Sequence, residues 1–134
     1  MSAKFEPIRI VDLVADKTEQ SPTASGLRLM YLRLSHTPTD AWGQLFQGQR
    51  YLPTGRAIHS MAREARVEEN YIVVDCVPEE MEKHLPELQH DVSVTNGEYQ
   101  KYLRTLTAKA EQQRQKQKEE RDRIEEVKSH LKFD

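Results

Sequence analysis

The chain has 134 residues, 37% of them hydrophobic and 31% charged, with a formal net charge of −2 and a pI near 6.2. That length suits one domain of average size, and the clustering of its apolar residues is not the pattern of a disordered chain. No apolar run nears the roughly 18 residues of a membrane span, Met1 to Pro7 lacks the apolar stretch of a signal peptide, and the lone Cys76 excludes an intramolecular disulfide or a multi-cysteine metal cluster, so a soluble, cytoplasmic protein is expected.

Ile8 to Val14 (IRIVDLV) and Leu27 to Ser35 (LRLMYLRLS) read as two strands joined by an exposed polar loop, Asp16 to Gly26. In the second run Leu27, Leu29 and Tyr31 share one face while Leu32 and Leu34 fall on the other. Either both faces are covered or a bulge shifts the register, and a bulge in this run is expected. Thr37-Pro38-Thr39-Asp40 then supplies an N-cap, a proline at the first helical position and an acid at the third. The helix that follows carries an apolar stripe of Ala41, Trp42, Leu45 and Phe46 and is expected to stop at Gly48. Trp42 and Phe46 are expected in the core rather than in a recognition patch.

Arg50 to Ser60 (RYLPTGRAIHS) reads as a loop. It gathers Arg50, Tyr51, Arg56 and His59 on a Gly- and Pro-containing connection, the kind of segment that holds an anion or a partner. The plainer reading is a polar connector whose arginines are solvated or paired with acids of the second helix. Ala62 to Val67 and Tyr71 to Val77 form the next strand pair, and Tyr71-Ile72-Val73-Val74 predicts a central strand. Pro78-Glu79-Glu80 opens a short helix that Pro86 interrupts or restarts, and Thr95-Asn96-Gly97-Glu98 is a capping box for the terminal helix. The expected fold is α+β in ββαββα order: a mostly antiparallel four-stranded sheet, helices packed on one face, and a long C-terminal helix. A compact domain over 1–97 would carry a charged helical arm over 98–134.

Charge is distributed unevenly along that chain. Residues 78–97 hold one basic residue against five acids; Lys101 to Lys118 holds six basic residues against Glu111 alone, and Glu119 to Glu126 holds five acids against Arg121 and Arg123. Tyr99, Leu103, Leu106, Ala110, Gln113, Gln117, Glu120, Ile124, Val127 and Leu131 keep the alternating four-three spacing of a coiled-coil seam. Three of the ten are polar: Leu103 and Leu106 would form its root, anchored to the domain, Gln113 to Glu120 a wet middle, and Ile124, Val127 and Leu131 its tip, with Ala110 also among the interface candidates. An isolated exposed helix has no use for an apolar tip, which points to a homodimer or to docking on a partner protein. An antiparallel dimer would set the basic stretch of one arm against the acidic stretch of the other. The competing reading is a solvated helix supported by pairs such as Glu119–Arg123 and Lys118–Asp122.

Chemistry of other kinds has thinner support. Arg104, Lys109, Arg114, Lys116 and Lys118 could contact phosphates, but they occupy more than one helix face in an acidic chain. His36, His59, His84, His90 and His130 show no metal-ligand spacing, and Pro53-Thr54-Gly55-Arg56 lacks the second glycine and the lysine of a phosphate-binding loop. Cys76 beside His59 would be a nucleophile–base pair; a buried, inert thiol is the stronger expectation. The sequence therefore predicts a non-catalytic interaction module without metal or cofactor, ahead of a nucleic-acid-associated factor or a small enzyme or anion binder using the Arg50–His59 loop.

Overall fold

The computed structural model describes residues 5–51 and 63–133. The architecture is α+β, an antiparallel five-stranded sheet with a shorter helix, α1 (Asp40–Arg50), and a long C-terminal helix, α2 (Met81–His130). One compact unit ends at Tyr99 and a second begins at Gln100.

The strands are β1 (Ile10–Leu13), β2 (Glu19–Gln20), β3 (Arg28–Leu34), β4 (Glu64–Glu68) and β5 (Tyr71–Cys76), in the spatial order β1-β3-β5-β4 with β2 also on β3. The fifth strand beyond the expected four is β2, which falls in the stretch read as a loop. Two polar residues pairing Glu19 with Leu29 and Gln20 with Arg28 carry no alternation that a sequence pattern could reveal. The β-branched run of β5 does form a central strand, between β3 and β4.

Met30, Leu32 and Leu34 of β3 alternate onto one face with Ile72, Val74 and Cys76 of β5 and Ala65 of β4, and all seven are buried. Trp42 and Phe46 of α1 and Leu88 and Val92 of α2 complete this core, the two α1 rings stacked 5.6 Å apart. The expected bulge within β3 is absent: its register with β5 runs unbroken from Arg28 opposite Cys76 to Arg33 opposite Tyr71. The irregularity lies in β1, between Ile10 and Asp12, where Val11 is the extra residue. The run in β3 is apolar on both sides because both sides are needed, since Leu29 and Val73 are buried on the second face. On that face the Tyr31 and Tyr71 rings meet edge to face at 5.7 Å, with the Lys17 ammonium 5.1 and 5.0 Å from their centroids. The β4–β5 hairpin turns through Glu69 and Asn70, with Glu69 at φ 56° in the left-handed region a tight hairpin demands.

Both helix starts differ from the expectation for tertiary reasons. The N-cap of α1 is Thr39, whose Oγ1 accepts from the Trp42 N–H at 3.2 Å and donates to the Tyr99 hydroxyl at 3.1 Å. A contact 60 residues away thus selects Thr39 over Thr37. Helix α1 also runs past Gly48 to Arg50. Helix α2 passes through Pro86 and through the presumed capping box without a break. There Thr95 Oγ1 donates to the Asp91 carbonyl one turn back, and Asn96 is taken by another segment: its Oδ1 accepts from the Ile8 N–H and the Trp42 indole N–H, both at 3.0 Å, and its Nδ2 donates to the Ile8 carbonyl at 2.9 Å. Neither side chain is available to cap.

Candidate interaction surface

Every described residue from Arg104 to Phe133 is exposed. Along this stretch the apolar residues of the four-three pattern form two groups separated by Gln113, Gln117 and Glu120. Leu103 is half-buried, Leu106 is 44% exposed and Ala110 is exposed, while at the far end Ile124, Val127 and Leu131 are 58%, 55% and 54% exposed, with Phe133 beyond them at 80%. From Gln100 to His130 the helix is roughly 45 Å long at ~1.5 Å per residue. Its own backbone ladder and a few surface pairs support it. Arg114 meets Glu111 at 3.3 Å and the Gln115 amide donates to Glu119 at 3.4 Å, contacts worth only tenths of a kcal/mol each.

The phosphate-contact candidates Arg104, Lys109, Arg114, Lys116 and Lys118 are all on this exposed stretch. Viewed around the helix rather than along the chain, Lys109 and Lys116 lie on one side of the stripe and Arg114 on the other. Arg121, Arg123 and Lys128 extend the same two rows. Along the chain Arg121 and Arg123 fall in an acidic segment, but around the helix they belong to these rows, a signal that the heptad register of the seam already holds.

Of the presumed ligand loop only Arg50 and Tyr51 are among the described residues. Arg56 and His59 lie outside the described residues. Arg50 is not on a loop: it closes the last turn of α1, is only 4% exposed, and donates through Nη1 to Asp91 at 2.7 Å and through Nη2 to the Arg63 carbonyl at 2.9 Å, with Glu87 at 3.6 Å. A basic residue there also suits the negative end of the helix dipole. The alternative considered for this arginine, pairing with acids of the second helix, is what forms. The Tyr51 hydroxyl is likewise committed, accepting from the Ala65 N–H at 3.0 Å.

Cys76 is fully buried against the Met30 sulfur at 3.8 Å, and burial, followed by the nearby Glu80 carboxylate, pushes its thiol up to about 11. Such a thiol is essentially all protonated at neutral pH, the opposite of an activated nucleophile. Glu80 accepts from Arg63 at 3.3 and 3.4 Å and faces His84 at 3.2 Å; these bonds, the arginine's first, hold its carboxyl below the usual range. The trio ties the start of β4 to the entry of α2. Among the described residues no group of three or more His, Cys, Asp or Glu is placed to hold a metal ion, and no helix is long and apolar enough to cross a membrane. Two shallow grooves, of about 440 Å³ beside the α1 N-terminus and about 320 Å³ between Ile8–Ile10 and α2, bring together no titratable cluster. Comparison with known protein families, with curated proteins and with solved structures finds no match.

Proposed function

We propose that this chain is a non-catalytic interaction module that associates with another protein surface through the apolar stripe of α2, the α+β body serving as its folded base. One observation carries the reading: Ile124, Val127 and Leu131 recur at helical spacing on one side of the mostly polar stretch of α2 that is exposed from Arg104 onward, each more than half exposed. Exposed apolar groups are ordinary when scattered, but six of the nine seam positions from Leu103 to Leu131 are apolar, in two groups on one register separated by Gln113, Gln117 and Glu120, and that is not scatter. Fully burying an aliphatic side chain is worth about 1.5–3 kcal/mol, so three half-exposed residues offer several kcal/mol to an association and nothing to the free chain. A cytosolic setting goes with this reading and suits an unpaired Cys76.

The test is the triple variant Ile124→Ser, Val127→Ser, Leu131→Ser in the full chain, followed by sedimentation and by co-purification from the native host. The variant should keep the helical circular dichroism signal and the melting temperature of the parent while losing whatever association the parent shows. An association that survives the three substitutions would reject the stripe as the docking surface.

A further inference from the structure

Charge around α2 says what kind of partner fits the stripe. In the heptad register fixed by the seam, the positions on its two sides are Thr107, Arg114, Arg121 and Lys128 on one flank and Lys109, Lys116, Arg123 and His130 on the other. Six of these eight are Lys or Arg and none is Asp or Glu. Residues 107–130 as a whole are nearly balanced, seven basic against six acidic, so the bias belongs to the flanks and not to the segment. The acids lie elsewhere: Glu120 within the seam, and Glu111, Glu119, Asp122, Glu125 and Glu126 on the outer face.

A second copy of this chain is poorly matched to such a surface. In a parallel pair Lys109, Lys116 and Arg123 of one copy would face Arg114, Arg121 and Lys128 of the other, and Glu120 would face Glu120. In an antiparallel pair each basic flank meets itself. The complementarity between basic and acidic segments does not rescue this arrangement, because the acids of Glu119 to Glu126 are not on the flanks. Nucleic acid would account for two basic rows but leaves the apolar stripe between them unexplained.

We infer that the stripe receives an acidic amphipathic helix of a different protein, with aliphatic residues along its own seam and Glu or Asp on both flanks, forming a heterotypic coiled coil. This rests on the reading of the stripe as the association surface. Like charges across the flanks would exclude self-pairing, and opposite charges would select the partner and its register. The polar middle of the seam, Gln113, Gln117 and Glu120, lowers affinity and fixes alignment, calling for amides opposite the glutamines and a Lys or Arg opposite Glu120.

The probe is a synthetic helix of about four heptads, Leu and Ile in the seam, amides and one Lys in its middle, and Glu on every flank, titrated against the full chain at about 0.1 M salt. Its twin carries Lys on every flank. The Glu peptide should bind about 100-fold tighter than the Lys peptide. The variant Lys109→Glu, Lys116→Glu, Arg123→Glu should narrow or reverse that order, and the Ile124→Ser, Val127→Ser, Leu131→Ser variant should bind neither. Equal or preferred binding of the Lys peptide, dimerisation of the free chain through the stripe, or an oligonucleotide that displaces the Glu peptide would overturn the acidic-helix inference while leaving the stripe as a docking surface. Binding of neither peptide by a monomeric parent chain would overturn both.

Discussion

Arg50 is the residue whose environment differs most from what its neighbours in sequence suggest. It follows a glycine-containing stretch and precedes a proline, yet it is buried, bonded to Asp91 and beside Glu87. Among the described residues its Nε and one Glu87 oxygen lack a hydrogen-bond partner, so within them this ion pair carries a desolvation cost that is only partly offset. Arg50→Ala strands Asp91 and should destabilise the fold by about 3 kcal/mol, read as a lowered urea midpoint at constant slope. Replacing the pair with Met and Leu should recover most of that; a single variant costing below about 1 kcal/mol would show that the pair is solvent-screened after all. Cys76 makes a second prediction. Its folded thiol is pushed up to about 11 from an ordinary 9.0, so unfolded chains release this proton first. Stability from this group is complete below pH about 9 and declines as pH rises towards about 11. The parent should therefore lose stability over that range more steeply than Cys76→Ala, and native protein should resist iodoacetamide at neutral pH until it is unfolded. Equal slopes, or rapid native labelling, would contradict the burial argument. Burial of Cys76 was legible from the apolar run that holds it; for Arg50 the sequence offered pairing with acids of the second helix only as one of two readings, since the acids that hold it are 37 and 41 residues away.

At the scale of elements, what local pattern determines was readable and what tertiary contact determines was not. The aliphatic runs of β3 and β5 and the stripe of α1 announced themselves, as did the order of strands and helices apart from β2 and the fusion of the two expected C-terminal helices into α2. The start of α2 did not, because Thr95-Asn96-Gly97-Glu98 is a good capping box in isolation. It is overridden where Asn96 satisfies both backbone groups of Ile8 and the Trp42 indole. Asn96→Ala should leave three part-buried polar groups unsatisfied and cost about 2–3 kcal/mol without breaking the helix. A variant that melts with the parent would mean water replaces the side chain. Continuity of α2 also predicts a gradient. Amides from Met81 to Tyr99, whose side chains include Leu88, Val92, Thr95 and Tyr99 in the core, should exchange near the global rate, whereas those from Arg104 onward should exchange by local fraying. Uniform protection along the helix in the free protein would mean that the far half is already buried against something.

For the whole molecule, a net charge of −2 conceals two basic rows bordering the seam, and under the proposal that α2 docks an acidic helix this arrangement would separate the forces that bring the partner in from those that keep it. Flank charges are exposed and act at long range, so they should govern encounter; the aliphatic tip acts only on contact, so it should govern escape. Raising salt from about 0.1 M to about 1 M shortens the screening length from ~10 Å to ~3 Å. With the Glu-flanked helix as ligand, the association rate should fall by roughly tenfold or more across that range and the dissociation rate should change little. Ile124→Ala and Leu131→Ala should do the reverse, raising the dissociation rate and leaving the salt slope of association intact. Stopped-flow traces on the full chain separate the two quantities. An association rate indifferent to salt would remove the flanks from recognition, and a tip substitution that slows association without hastening release would mean that the tip folds or orders on binding rather than simply packing.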